Sequence, residues 1–431
     1  MSNQGPRGPQ LLRPLAIRDF RLLWAGQVVS LIGDGLFTVA LAWQSIELSP
    51  RPATLSVVLV ARSVPQLTLA LLGGALSDRL PRRALMLVSD LVRGAAVAAI
   101  AALAGLGVIS VWQLVCLAAV FGAADALFQP AYASIIPDIL PGDLLLEGNA
   151  LNTSARLLAL QMAGPLLGGV AIAAIGVGGA FWADAGSFAF SVGCLVAMRT
   201  RRTIPAPARG IAADIGDGLR LAYRIRWLWT SLIVSAGVNL FVLGPLTVII
   251  PVLLRERLHA GAGTFGLVPA AFGLGGAAAA VIVAQASWLP RRASAMYLGW
   301  GGSGIAFAAI GLVPRLWPIV ALIALAGFGL AIGNLLWITM VQHAVPNASL
   351  GKIASLDWLI GGSAIPLSIA ASAPLSESLG APATIMLAGL LTAACAVVPA
   401  RVPGALDGAL PAPGQPPGQP QPGQPVPGQP G

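Results

Sequence analysis

The sequence predicts an all-α membrane protein built as two six-helix bundles, and three features carry that expectation. Hydrophobic residues fill 57% of the 431 positions and charged residues only 10%, where a soluble protein is about a quarter charged. The apolar residues gather into runs of about 20, the length that crosses a bilayer. The stretch Leu80-Pro81-Arg82-Arg83-Ala84 recurs as Leu289-Pro290-Arg291-Arg292-Ala293, each time after the second run of a half-chain. Pro141 with Gly148-Asn149-Ala150 and Pro346 with Gly351-Lys352-Ile353 repeat more loosely after the fourth.

Twelve runs satisfy the length rule: 22–46, 54–76, 84–106, 112–135, 150–174, 178–198, 229–253, 263–287, 294–313, 317–341, 354–376 and 381–400. Residues 1–21 form a polar leading segment with no apolar stretch of signal-peptide length, so the first span itself is expected to direct insertion. Residues 22–198 make the first bundle and 229–400 the second. Between them, 199–228 is a linker whose later part, 214–229, alternates apolar residues with Arg220, Arg224 and Arg226 as an interfacial helix does. Residues 401–431 end in a Pro-Gly-Gln tail that has too little apolar surface to form a core.

Orientation follows from the basic residues. With the amino terminus inside, the outer segments hold only Arg51, Arg255, Arg257 and Arg315. Arg62, Arg93 and Arg156 fall within spans, and every other basic residue falls inside. That asymmetry predicts that both termini are cytoplasmic. The net charge of +9 is therefore spread between spans and predicts no nucleic-acid partner. Cys116, Cys194 and Cys395 lie in apolar runs at spacings that fit neither a metal site nor a disulfide framework.

Ionisable groups inside spans cost roughly 2.5–3.5 kcal/mol each on insertion scales, so each calls for a partner or a task. At about 1.5 Å per residue, Asp34 lies about 18 Å from the inner end of its span and Arg62 about 12 Å from the outer end of the next. These depths coincide in a core of about 30 Å and predict an Asp34–Arg62 pair. Asp125 and Arg156 both come out about 10 Å from the inner side. Asp90 and Arg93 share one helix face. These last four are expected to form a charge cluster. Asp184 is expected nearer the outer surface, on a peripheral span.

The loop Gly73-Gly74-Ala75-Leu76-Ser77-Asp78-Arg79-Leu80-Pro81-Arg82-Arg83 resembles the signature loop between helices 2 and 3 of the major facilitator superfamily, with Pro81 where that family usually has Gly. Gly74 permits close helix approach there. Asp78, Arg79, Arg82 and Arg83 face the acidic Asp138, Asp143 and Glu147 as a gating latch. Phe20 to Gln27 leading to Asp34, Arg62-Ser63-Val64-Pro65, Phe128-Gln129-Pro130-Ala131 and Gly148 to Asn152 resemble the branch of enterobactin exporters and macrolide-efflux-like proteins. Lys352 stands where that branch usually has Arg. Gly164-Pro165-Leu166-Leu167-Gly168-Gly169 resembles the antiporter motif of the superfamily's exporters.

The resemblance implies two bundles in a bacterial inner membrane that rock about a mid-membrane site, exporting an amphipathic drug, macrolide-like metabolite or siderophore in exchange for protons; the alternatives are a facilitator or uptake transporter of the same fold, or a non-transporting membrane sensor. Such a protein can work as a monomer, with the lipid bilayer, protons and a small molecule as its partners. Asp34 is then the first candidate proton carrier, Asp125 the second and Asp184 the third. Spans 1, 4, 7 and 10 are expected to supply substrate contacts from Gln27, Phe128, Gln129, Asn239, Phe241, Asn334 and Trp337. No cofactor is implied. No Gly-x-x-x-x-Gly-Lys-Ser/Thr loop is present, which argues against ATP-driven transport. An enzyme needs a nucleophile, metal ligands or an acid–base histidine, and His259 and His343 sit at loop edges.

Overall fold

The computed structural model describes residues 10–77, 80–199, 219–220, 223, 225–285, 292–345, 347–402 and 406, and its regular structure there is entirely helical. After a short 3-10 turn, the first half runs through α1 (Arg18–Leu48), α2 (Pro52–Ser77), α3 (Arg82–Gly105), α4 (Val111–Ile139), α5 (Leu145–Ala155), a π-helical turn (Arg156–Ala163) and α6 (Gly164–Ala197). The second half runs through α7 (Arg226–Gly244), a π-helical turn (Pro245–Ile249), α8 (Ile250–Leu258), α9 (Ala262–Gln285), α10 (Arg292–Ile310), α11 (Leu316–Ala344), α12 (Asn347–Leu379) and α13 (Ala381–Val397).

Ten helical stretches among the described residues are long and apolar enough to cross a membrane. The longest, Gly142–Ala197, is two crossings. Gly176 interrupts it at φ 74°, ψ 170°, a conformation that lacks a steric penalty only for glycine. The packing on α1 shows the reversal. Before Gly176, Gly164 and Gly168 meet Gly35 and Leu36 of α1. After it, Asp184 and Ser187 meet Gly33, and Ser191 meets Gly26. The first set rises along α1 and the second descends. With α10 added, the pattern fits the twelve spans read from the sequence.

Local chemistry sets the helix boundaries. Ser110 starts α4 through a capping box with Gln113. Gly380, at φ 83°, turns the chain between α12 and α13. Pro165 has no N–H to return to the Gln161 carbonyl, and the turn upstream of it widens to π geometry. Pro245 opens the matching π turn of the second half. Such widened turns cluster at functional sites.

Each half packs largely on itself. In the first, α1 lies on α6, α2 on α4, and α3 on both α4 and α6; in the second, α9 and α10 lie on α11, and α7 on α12 and α13. Between halves, α6 meets α9 and α2 meets α12. The α1–α6 contact leaves no room for a side chain at Gly35, where a Cβ atom would come within 2.8 Å of the Leu160 carbonyl and Pro165. Gly35→Val is therefore expected to cost about 1–3 kcal/mol, the usual overpacking range. A melting curve of the purified variant measures it.

Parts of the sequence reading fall outside the described residues: Asp78 and Arg79, Leu289 to Arg291, most of the 199–228 linker, and residues 407–431. Within the linker, Leu219, Arg220 and Tyr223 are helical and exposed.

Candidate functional site

The first half buries a polar cluster centred on Arg93. Three carboxylates surround it: Asp90 at 2.5 Å, Asp125 at 3.1 Å and Asp34 at 3.7 Å. They come from α3, α4 and α1, and Arg93 and Asp90 are 1% and 0% exposed. The i, i+3 spacing of Asp90 and Arg93 lays one directly over the other. Asp90 also accepts from Ser191 Oγ at 2.6 Å, and Asp125 from Gln66 Nε2 at 2.6 Å. The guanidinium is packed against Phe128, Phe188 and Phe121, with ring centroids 4.5, 4.7 and 5.9 Å from its central carbon. Charge pairing and ring faces together offset the loss of hydration.

Three residues of the expected arrangement, Arg62, Arg156 and Asp184, sit elsewhere. Asp34 does not pair with Arg62; its cation is Arg93. Arg62 instead lies over Phe37 and Phe121 at 5.3 and 5.0 Å and donates to Thr38 Oγ1 at 3.3 Å. Matching depth had been enough to suggest the pair, but it leaves the rotation of each helix undetermined. Arg156 is exposed on the π turn and makes no ion pair among the described residues. Asp184 is fully buried, so its span is not peripheral at this point. It packs on Gly33 and accepts from Ser187 Oγ at 3.1 Å. One oxygen each of Asp34 and Asp184 is buried without a hydrogen-bond partner among the described residues.

A cavity of about 380 Å³ opens between the halves beside this cluster. Thr38, Leu59, Arg62, Ser63 and Gln66 line it from the first two helices. Leu160, Gln161 and Pro165 line it from the first π turn and the start of α6, and Leu246 and Thr247 from the second π turn. Phe265, Phe272 and Ile369 complete the wall. Both π turns thus face the same space from opposite halves. Thr38 of its wall follows Asp34 by one helical turn, and its hydroxyl donates to the Asp34 main-chain carbonyl at 2.8 Å and accepts from Arg62; the Asp34 carboxylate is not part of that link.

The substrate residues expected from spans 1, 4, 7 and 10 do not line this cavity. Gln27 and Phe128 are buried in the first bundle, Phe128 beneath Arg93 and stacked on Tyr132. Gln129 and Phe241 are half-buried. Asn239 donates to the Gly361 carbonyl at 3.4 Å, Asn334 accepts from Trp300 Nε1 at 3.0 Å, and Trp337 Nε1 donates to Ser231 Oγ at 3.1 Å. The last three tie helices together. Gln66, Gln161 and Thr38 were missed as wall residues. The available signal for Gln66 was its i+4 spacing from Arg62, which puts both on one face of α2.

Several contacts between halves lie toward the end that carries the 49–51 and 259–261 loops, while Gly273 beside Gln161 and Gly362 beside Leu67 lie deeper. Ser56 Oγ donates to the Ile369 carbonyl at 2.6 Å. Trp43 meets Phe265 edge-on at 5.0 Å and carries Arg255 over its ring at 4.7 Å. Gly169 of the antiporter-like stretch abuts α9, where its Cβ would lie 3.2 Å from the Gly263 Cα. At the other end Arg82 pairs with Asp138 and also donates to the Ser134 carbonyl at 2.9 Å, and Arg83 donates to the Val196 carbonyl at 2.8 Å. These bonds stay within the first bundle and do not bridge the halves. Gly74 lies in α2.

The model of a family described as transmembrane secretion effector matches residues 10–410. The chain is 27% identical to the multidrug efflux pump Tap of Mycolicibacterium fortuitum, over 88% of this chain and 92% of that one. It is 21% identical to macrolide efflux protein A of Streptococcus pyogenes, over 88% and 94%. In fold it resembles a bacterial homologue of the iron transporter ferroportin in its inward-facing state, with a TM-score of 0.66, 16% identity and coverage of 88% and 98%.

Proposed function

Because the chain belongs to the transmembrane secretion effector family, an efflux-type branch of the major facilitator superfamily, we propose that it exports an amphipathic small molecule from the bacterial cell in exchange for protons. The observation that carries this reading is the apolar cavity between the halves, set beside a buried acid with a partnerless oxygen. Drug-sized ligands are held in cavities of about this size, apolar with a few placed polar groups.

The cargo, a hydrophobic drug, a macrolide-like compound or a siderophore, enters the cavity from the cytoplasm. With both termini inside, the polar and aromatic contacts described between the halves lie toward the outer end, as an inward-facing state requires. Asp34 carries the proton. Its carboxylate shares Arg93 with Asp125, which the wall residue Gln66 covers, so charge changes at Asp34 reach a group that faces cargo. The halves then exchange which end is closed, and the π turns supply the bend.

Everted vesicles containing the protein test this reading with a panel of hydrophobic antibiotics and siderophores. An imposed gradient, acid inside, is expected to drive uptake of at least one compound, and collapsing it to stop that uptake. Uptake indifferent to the gradient contradicts proton exchange.

A further inference from the structure

We propose that the cavity takes an apolar molecule presenting a carbonyl or carboxylate oxygen to Arg62, and that it disfavours a cationic head group at that position. This rests on the reading of the cavity as the transport site. Arg62 is the one ionisable side chain among the residues lining it. It has no ion-pair partner among the described residues, and its hydrogen bond goes to Thr38 Oγ1 at 3.3 Å. A guanidinium carries five N–H donors, so this cation retains donor capacity at the wall of an apolar space.

The carboxylates of the cluster stand behind that wall. Asp34, Asp90 and Asp125 are gathered on Arg93, and Asp184 takes its hydrogen bond from Ser187. None of the four lines the cavity. The Phe121 ring lies against both guanidiniums, 5.0 Å from Arg62 and 5.9 Å from Arg93. Gln66, a wall residue, covers Asp125 with its amide. A ligand therefore meets the positive group first.

An acceptor oxygen at Arg62 gains a charge-assisted hydrogen bond in a setting with little competing water. An ammonium there gives up hydration and meets like charge. Leu59, Leu246, Phe265 and Phe272 leave the body of the ligand an apolar surface to cover.

Three probes with one apolar body separate the terms: pyrenebutyrate, its primary amide, and the matching pyrenebutyl-trimethylammonium. Binding is measured to the full chain in phosphatidylcholine nanodiscs, with partitioning into empty discs subtracted. The carboxylate and amide are expected to bind at least about ten-fold tighter than the ammonium, the scale of one charge-assisted contact. Arg62→Gln should bring all three together, and Arg62→Lys should keep their order. Phe272→Ala should weaken all three alike.

An ammonium that binds wild type as tightly as the others overturns the proposal, as does an unchanged ratio in Arg62→Gln. If Phe272→Ala weakens the probes but head group makes no difference, the head-group selection alone falls. If Phe272→Ala leaves binding untouched, or no probe binds, the cavity falls as the site and the selection with it.

Discussion

Arg93→Met is expected to leave the first bundle largely unfolded after extraction, with a loss of about 3–5 kcal/mol, the usual consequence of removing one partner from a buried charge set. Arg93 is the cation shared by Asp34, Asp90 and Asp125. Without it, Asp90 retains only the Ser191 hydroxyl and Asp125 only the Gln66 amide. Phe121, Phe128 and Phe188 also lose the group they enclose. Removing the matching acids should reverse much of the loss, because a whole buried set can often be replaced where a single member cannot. Melting temperatures in detergent should therefore rank wild type first, the triple variant Arg93→Met, Asp90→Asn, Asp125→Asn second, and Arg93→Met alone last. A single variant as stable as wild type contradicts the cluster's structural weight.

Asp34→Asn is expected to act on transport while sparing the fold. Asp34 is the most distant of the three acids from Arg93, at 3.7 Å, and one of its oxygens has no partner. Asparagine keeps the shape and leaves Arg93 with its two nearer carboxylates. The protein should melt close to wild type and still exchange labelled for unlabelled cargo across a vesicle membrane, a process that needs no net proton movement. Gradient-driven accumulation should fall to that of empty vesicles. Loss of exchange and accumulation together would give Asp34 a structural role and pass the coupling role to Asp125.

The architecture was legible because span length is a one-dimensional signal. The reversal near residue 176 was readable as a gap between spans, although the structure makes it in one glycine. The Asp90–Arg93 pairing was readable too, since helical spacing fixes which residues share a face. What sequence leaves open is the rotation of one helix about its axis against another. Asp34 and Arg62 lie at matching depths, yet Phe37 and Phe121 take the Arg62 guanidinium, and Arg93 takes the acid. The same freedom separates the amide and aromatic residues expected at the substrate site from the cavity wall. Asn239, Asn334 and Trp337 face neighbouring helices of the second half. Gln66 and Gln161 face the cavity because α2 and the π turn present them there.

The most direct test of proton-coupled export is proton movement elicited by cargo in proteoliposomes, wild type beside Asp34→Asn, followed with a trapped pH dye. The account predicts that at least one compound from a panel of hydrophobic antibiotics and siderophores moves protons opposite to itself in wild type and moves none in the variant. A compound transported by wild type with no accompanying proton flux contradicts it.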